Sequence, residues 1–221
     1  MKKTIAIPGW STGENSFGVS KPYLEYFSQF GQVEILTPKE SITNCDLLVL
    51  PGGLDTNPLH YNAVPGFYTS NQDVFKEYFF KKNLPQYIEA GIPIFGICLG
   101  FQQICTYFGS KLTQHMYHPY SDSRDERVHV IKPVRSYDES ISTYIVSNEK
   151  KSEYKVNSLH HQAVSQYDLA NSLTPLYLDE DSYFVEVVSH KTLPIMGVQY
   201  HPEELYCELS AKYIKKLLKT E

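Results

Sequence analysis

The chain has 221 residues, 42% hydrophobic and 20% charged, which suits one domain over residues 1–221 whose core needs no disulfide or metal staple. Its net charge is −5 and no basic run exceeds a lysine pair, which argues against a nucleic-acid partner or an anionic membrane surface. The longest apolar stretch, residues 91–101, contains Pro93 and falls short of the ~18 residues of a membrane span. Behind Met1-Lys2-Lys3, Pro8 and Gly9 interrupt any signal-peptide core. Cys45, Cys98, Cys105 and Cys207 show no Cys-x-x-Cys spacing, so the expectation is a cytoplasmic protein with reduced thiols and no metal or cofactor. The 18 tyrosines and 11 phenylalanines read as core and interface packing.

In chain order, residues 4–7 predict a strand ending at Pro8-Gly9. Ser20 is placed to cap a helix with Pro22 in its first turn, running to Phe30 and stopping at Gly31. Residues 33–36 and 46–50 are further strands, and their unbroken apolar runs fit a parallel sheet buried on both faces. A helical pattern over 73–90 breaks near Asn83-Leu84-Pro85 and closes at Gly91. Residues 94–97 form the next strand and 99–108 a helix ending at Gly109. From 113 to 154 the sequence is polar and resists assignment, apart from a strand over 127–131. Strands over 183–189 and 194–200 flank a turn at Lys191-Thr192. Leu205, Leu209, Tyr213, Ile214, Leu217 and Leu218 then recur at helical spacing, as in a helix packing on the sheet. With no repeat and no linker, the βα alternation followed by antiparallel strands predicts an α/β three-layer sandwich with a mixed sheet.

Chemistry concentrates at Gly96-Ile97-Cys98-Leu99-Gly100, where a buried strand runs directly into a helix. This is the thiol form of the Gly-x-nucleophile-x-Gly elbow. Small flanking residues permit the close backbone approach that a strained turn needs. The helix beginning at Leu99 favours negative charge and offers N–H donors to an oxyanion. A buried cysteine in an ordinary βα turn is the plain alternative. Far downstream, a strand ends in His201-Pro202-Glu203. His201 can take the Cys98 proton and Glu203 can orient the imidazole. Pro51-Gly52-Gly53 after the 46–50 strand presents N–H groups suited to an oxyanion hole, although such a turn is commonly just a turn.

Together these motifs resemble the class I glutamine amidotransferase superfamily, with its Cys-His-Glu triads, and within it the gamma-glutamyl hydrolase-like branch that includes gamma-glutamyl-GABA hydrolases. Four segments carry the likeness to the branch: the loop from Pro51-Gly52-Gly53 to Tyr61, Asn71-Gln72-Asp73-Val74-Phe75, Asn157-Ser158-Leu159-His160-His161-Gln162, and Gly197 to Glu203. The resemblance spans roughly residues 5–204 and implies a flavodoxin/Rossmann-like sandwich with a mostly parallel central sheet. It also implies hydrolysis of a γ-glutamyl amide. Gln72 replaces the branch's arginine, Leu99 stands where the branch often has arginine after the nucleophile, and Thr113-Gln114-His115 replaces Tyr-Gln-Asp.

By the same resemblance Ser158, with the backbone near Leu159 and His160, contacts the substrate's α-amino and carboxylate groups, and Gln102 touches the glutamyl moiety. Oxyanion donors are expected at Gly52, Gly53 and Leu99. Adjacent side chains on an extended segment point apart, so His160-His161 is not a metal pair. His115-x-x-His118 lacks a further ligand at metal spacing, Cys105 reads as core, and Arg124-Asp125-Glu126-Arg127 reads as a solvated turn. The amine end of the substrate is assigned to residues 54–71 and 114–125, which carry Tyr61, Phe67, Tyr68, Tyr117 and Tyr120 and no basic cluster. Two activities remain in play: a free-standing hydrolase, and a glutaminase subunit feeding ammonia to a synthetase partner. A homodimer is also left open.

Overall fold

The computed structural model describes residues 2–14, 16–37, 42–116, 127–134 and 153–220. In chain order the strands are β1 (Thr4–Pro8), β2 (Trp10–Gly13), β3 (Ser16–Gly18), β4 (Gln32–Leu36), β5 (Leu47–Leu50), β6 (Ile94–Ile97), β7 (Val128–Pro133), β8 (Tyr154–Asn157), β9 (Leu173–Leu178), β10 (Val185–His190) and β11 (Ile195–Val198). The helices are α1 (Lys21–Phe27), α2 (Val74–Tyr78), α3 (Leu84–Glu89), α4 (Leu99–Tyr107) and α5 (Glu208–Leu218). A π turn at Phe79–Asn83 joins α2 to α3.

Nine strands form one sheet in the order β4-β1-β5-β6-β11-β10-β9-β7-β8. The first five are mutually parallel. The remaining neighbours are antiparallel, so the sheet is parallel on one side of β11 and antiparallel on the other. Strands β2 and β3 make a separate hairpin.

Alternation along the parallel strands builds two cores. Ile5, Ile7, Leu47, Val49, Phe95 and Ile97 share a cluster with Tyr23 and Phe27 of α1 and with Leu209, Ile214 and Leu217 of α5. Ala6, Leu48, Leu50 and Ile94 point the other way and meet Leu84 and Tyr87 of α3 with Phe101 and Ile104 of α4. Each such side chain removed from water contributes about 1.5–3 kcal/mol, which is why these strands read as unbroken apolar runs. The predicted three-layer α/β sandwich with a mixed sheet is the observed architecture. No helix among the described residues is long and apolar enough to cross a membrane.

The site sits at the carboxyl ends of β5, β6 and β11. These are adjacent in the parallel half, so three motifs distant in sequence converge there.

Candidate active site

Cys98 follows β6 and precedes the first residue of α4. It adopts φ 50° and ψ −104°, a left-handed backbone that a side chain avoids unless the surroundings impose it. What imposes it is close packing. A Cβ on Gly96 would lie 2.7 Å from the Gly100 backbone, and one on Gly100 would collide with the Leu50 carbonyl. The Cys98 N–H donates to the Val198 carbonyl at 2.9 Å, tying the elbow to the end of β11. Cys98 as a whole is 4% exposed.

Three residues beyond Val198, His201 faces the elbow. Its Nδ1 lies 2.7 Å from Glu203 Oε1, and the Glu203 side chain is 1% exposed. Burial works to lower the imidazole's pKa. The charge of and hydrogen bond with Cys98, then those with Glu203, prevail and raise it to about 10. Asn157 at the end of β8 holds the backbone here. Its Oδ1 accepts the His201 N–H at 2.8 Å and its Nδ2 donates to the His201 carbonyl at 2.9 Å. Sequence reasoning took Asn157 only as part of the 157–162 motif, and its clamp on His201 appears only when the end of β8 is seen against the segment that follows β11.

Gly52 and Gly53 follow β5. A Cβ on Gly52 would stand 2.5 Å from His201 Cε1 and 3.4 Å from Cys98 Cβ, so only glycine lets this turn lie against the Cys98–His201 pair. The Gly52 N–H donates to the Tyr23 hydroxyl at 2.7 Å. Burial, then the Glu203 charge, hold the Tyr23 phenol well above its ordinary range. Neither Tyr23 nor Lys76, whose ammonium donates to the Gly52 carbonyl, stood out in the sequence. A tyrosine in an amphipathic helix and a lysine in a charged one carry no signal of where they fold.

A cavity of about 390 Å³ opens beside this cluster, lined by Gly53, Arg127, Leu159 and His201. Gly53 and Leu159 are thus brought to the site, joined by Arg127, which the sequence had placed in a solvated turn. Ser158 and His160, on either side of Leu159, are buried. Ser158 is fully buried, and its Oγ is 3.2 Å from His160 Nε2. The same ring nitrogen faces Glu186 Oε1 at 3.9 Å. Gln102 is also internal. Its Oε1 accepts from the Thr56 hydroxyl at 3.0 Å and its Nε2 donates to the Gln162 carbonyl at 3.0 Å. His161 turns away from His160 and pairs with Asp55 at 2.8 Å, with His115 3.1 Å behind it. His118, Tyr117, Tyr120 and the 124–126 run lie outside the described residues.

The sequence profile of the family described as Peptidase C26 matches residues 28–203. The chain is 30% identical over 195 residues to the glutamine amidotransferase-like protein YvdE of Lactococcus lactis subsp. lactis, covering 82% of this chain and 78% of that protein. It is 28% identical over 197 residues to anthranilate synthase component 2 of Thermococcus kodakarensis, covering 88% and 87%. A structure described as a GMP synthase subunit from Thermoplasma acidophilum matches 99% of this chain and 94% of its own length with a TM-score of 0.67 at 19% identity. A glutamine amidotransferase of Thermotoga maritima matches 100% and 90% with a TM-score of 0.58 at 20% identity. At such identities the structural likeness is one of fold.

Proposed function

The chain belongs to the Peptidase C26 family of class I glutamine amidotransferase-like proteins, and from that premise we propose that it is a cysteine hydrolase cleaving the γ-glutamyl amide bond of glutamine or a small γ-glutamyl amide. The observation carrying this reading is the strained Cys98 elbow facing a His201 held charged by Cys98 and Glu203.

Cys98 is the nucleophile, His201 the proton carrier and Glu203 its orienting carboxylate. The thiolate attacks the γ-carbonyl carbon, the carbon–oxygen π pair moves to oxygen, and the N–H groups of Gly53 and Leu99 hold that oxyanion. On collapse the carbon–nitrogen bond breaks while imidazolium gives its proton to the departing amine, leaving a γ-glutamyl thioester. His201, now neutral, takes a proton from water as its oxygen attacks the thioester, and glutamate and the thiolate are released. The glutamyl end enters the cavity lined by Arg127 and Leu159, where a cation and backbone groups meet its carboxylate. Ser158, His160 and Gln102 shape that wall through the hydrogen bonds they make.

The second reading, a glutaminase subunit serving a synthetase partner, draws on the relationship to anthranilate synthase component 2. Turnover by the purified chain separates the two. A free hydrolase releases amine from a panel of γ-glutamyl amides, glutamine included, unaided and without loss to EDTA. Cys98→Ala removes several orders of magnitude of that rate. Hydrolysis surviving in Cys98→Ala above a few per cent, or abolished by EDTA and restored by zinc, overturns the scheme. Silence until a synthetase is added selects the second reading.

A further inference from the structure

Lys76 lies in the first turn of α2 with only 7% of its surface exposed, beneath the Gly52–Gly53 turn. Its Nζ donates to the Gly52 carbonyl and stands 4.0 Å over the Trp10 ring. A Cβ on Gly53 would be 2.6 Å from the same Nζ. A buried ammonium is expensive and persists only where its partners repay desolvation. Here they are one backbone carbonyl, one aromatic face and the charges of Asp73, at the cap of its own helix, and of Cys98 across the turn.

What that carbonyl contact does follows from peptide geometry. In a planar trans peptide the carbonyl and the following N–H point in opposite directions. Turning the Gly52 carbonyl toward Lys76 therefore turns the Gly53 N–H away from it, and Gly53 is one of the residues that line the cavity with His201. Among the described residues no acceptor takes that N–H. Two glycines in a row otherwise leave this peptide free to rotate. The Tyr23 hydroxyl fixes the preceding N–H at Gly52, so both ends of the turn are pinned.

We propose that Lys76 is a positioning residue for the oxyanion hole: its ammonium locks the Gly52–Gly53 peptide with the Gly53 N–H aimed at the oxygen of a substrate bound to Cys98. The inference rests on the reading of Cys98 as nucleophile and not on which amide is cleaved. Lys76 also gives the lock a pH dependence, because burial outweighs Asp73 and Cys98 and lowers its pKa to about 8. A neutral amine donates a weaker hydrogen bond than an ammonium, so the lock loosens as pH rises through that value.

Two reagents for the same sulfur separate positioning from nucleophilicity. Iodoacetamide alkylates Cys98 by direct displacement of iodide and forms no oxyanion. p-Nitrophenyl acetate acylates it through a tetrahedral oxyanion, forming the sulfur–carbon bond and expelling p-nitrophenolate, and needs no glutamyl recognition. With Cys98→Ala as background, Lys76→Met should lower acylation by about 30-fold or more while alkylation changes less than about threefold. In the wild type, which needs no variant to fold, the acylation-to-alkylation ratio should fall at least about threefold between pH 7 and 9, whereas in Lys76→Met it should stay flat. Both rates falling together in Lys76→Met, acylation keeping more than about a third of its rate, or a flat wild-type ratio overturns the proposal. Absence of γ-glutamyl amidase activity alongside the predicted ratio change would refute the proposed substrate and leave the role of Lys76 standing.

Discussion

Burial opposes a charged imidazole at position 201, yet Cys98 and the Glu203 carboxylate 2.7 Å away raise its pKa to about 10. A histidine whose folded pKa exceeds its unfolded value, near 6.5, stabilises the fold fully below that value and loses the contribution as pH rises through the folded pKa. The window is therefore from about 6.5 to about 10. Since Cys98 is the first of the raising causes, Cys98→Ala should move the His201 ring titration, followed by NMR, to lower pH. An unmoved titration would separate the two side chains. Asn157 supports the same ring through the backbone. Asn157→Ala orphans the His201 N–H and carbonyl, which should cost about 1–3 kcal/mol in urea unfolding and lower kcat more than it changes KM. Stability lost with kcat intact would leave Asn157 a purely structural clamp.

The Cys98 elbow depends on two backbones in contact, β6 against α4 and α4 against β5. Gly100→Ala puts a methyl into the Leu50 carbonyl, and neither partner is a flexible side chain that can yield. The variant should lose about 1–3 kcal/mol in urea and slow Cys98 alkylation; a variant with native stability and reactivity would show that the elbow tolerates separation. This elbow was legible in the sequence because glycine spacing states the contact directly. The parallel strands were legible because burial on both faces leaves apolar runs. Strand β9 was not, since Leu173-Thr174-Pro175 argues against a strand, and in the sheet Pro175 pairs with Val188 beside a register shift that tolerates it. The predicted break near Pro85 takes the form of the π turn that precedes α3. Lys76 and Tyr23 escaped notice, and Arg127 was read as part of a solvated turn, for a different reason: their importance comes from what distant parts of the chain they meet, and no local pattern encodes that.

At the scale of the whole molecule, charge bears on the choice of substrate. The chain carries a net charge of −5, and among the described residues the cavity presents two cationic side chains, Arg127 and the His201 imidazolium that pairs with Glu203. A polyglutamate tail would need further cations along its path and would be repelled at long range. Glutamine, with no net charge, meets neither penalty. The segment 54–71 that borders the loop after Gly53 offers apolar rather than basic surface, with Leu59, Val64 and Phe67 exposed. It is anchored inward by Asp55 on His161 and by Thr56 on Gln102 and Gln162, so its approach to the site is fixed. Steady-state assays on the purified chain should give kcat/KM for glutamine or a small γ-glutamyl amide at least about tenfold above that for a polyglutamate. Raising the salt should narrow the gap by screening the repulsion of the polyanion while leaving the rate on glutamine nearly unchanged. A polyglutamate preference, or a polyglutamate rate that falls as salt is added, would mean that cations recruit the tail and would overturn this account of the site's charge.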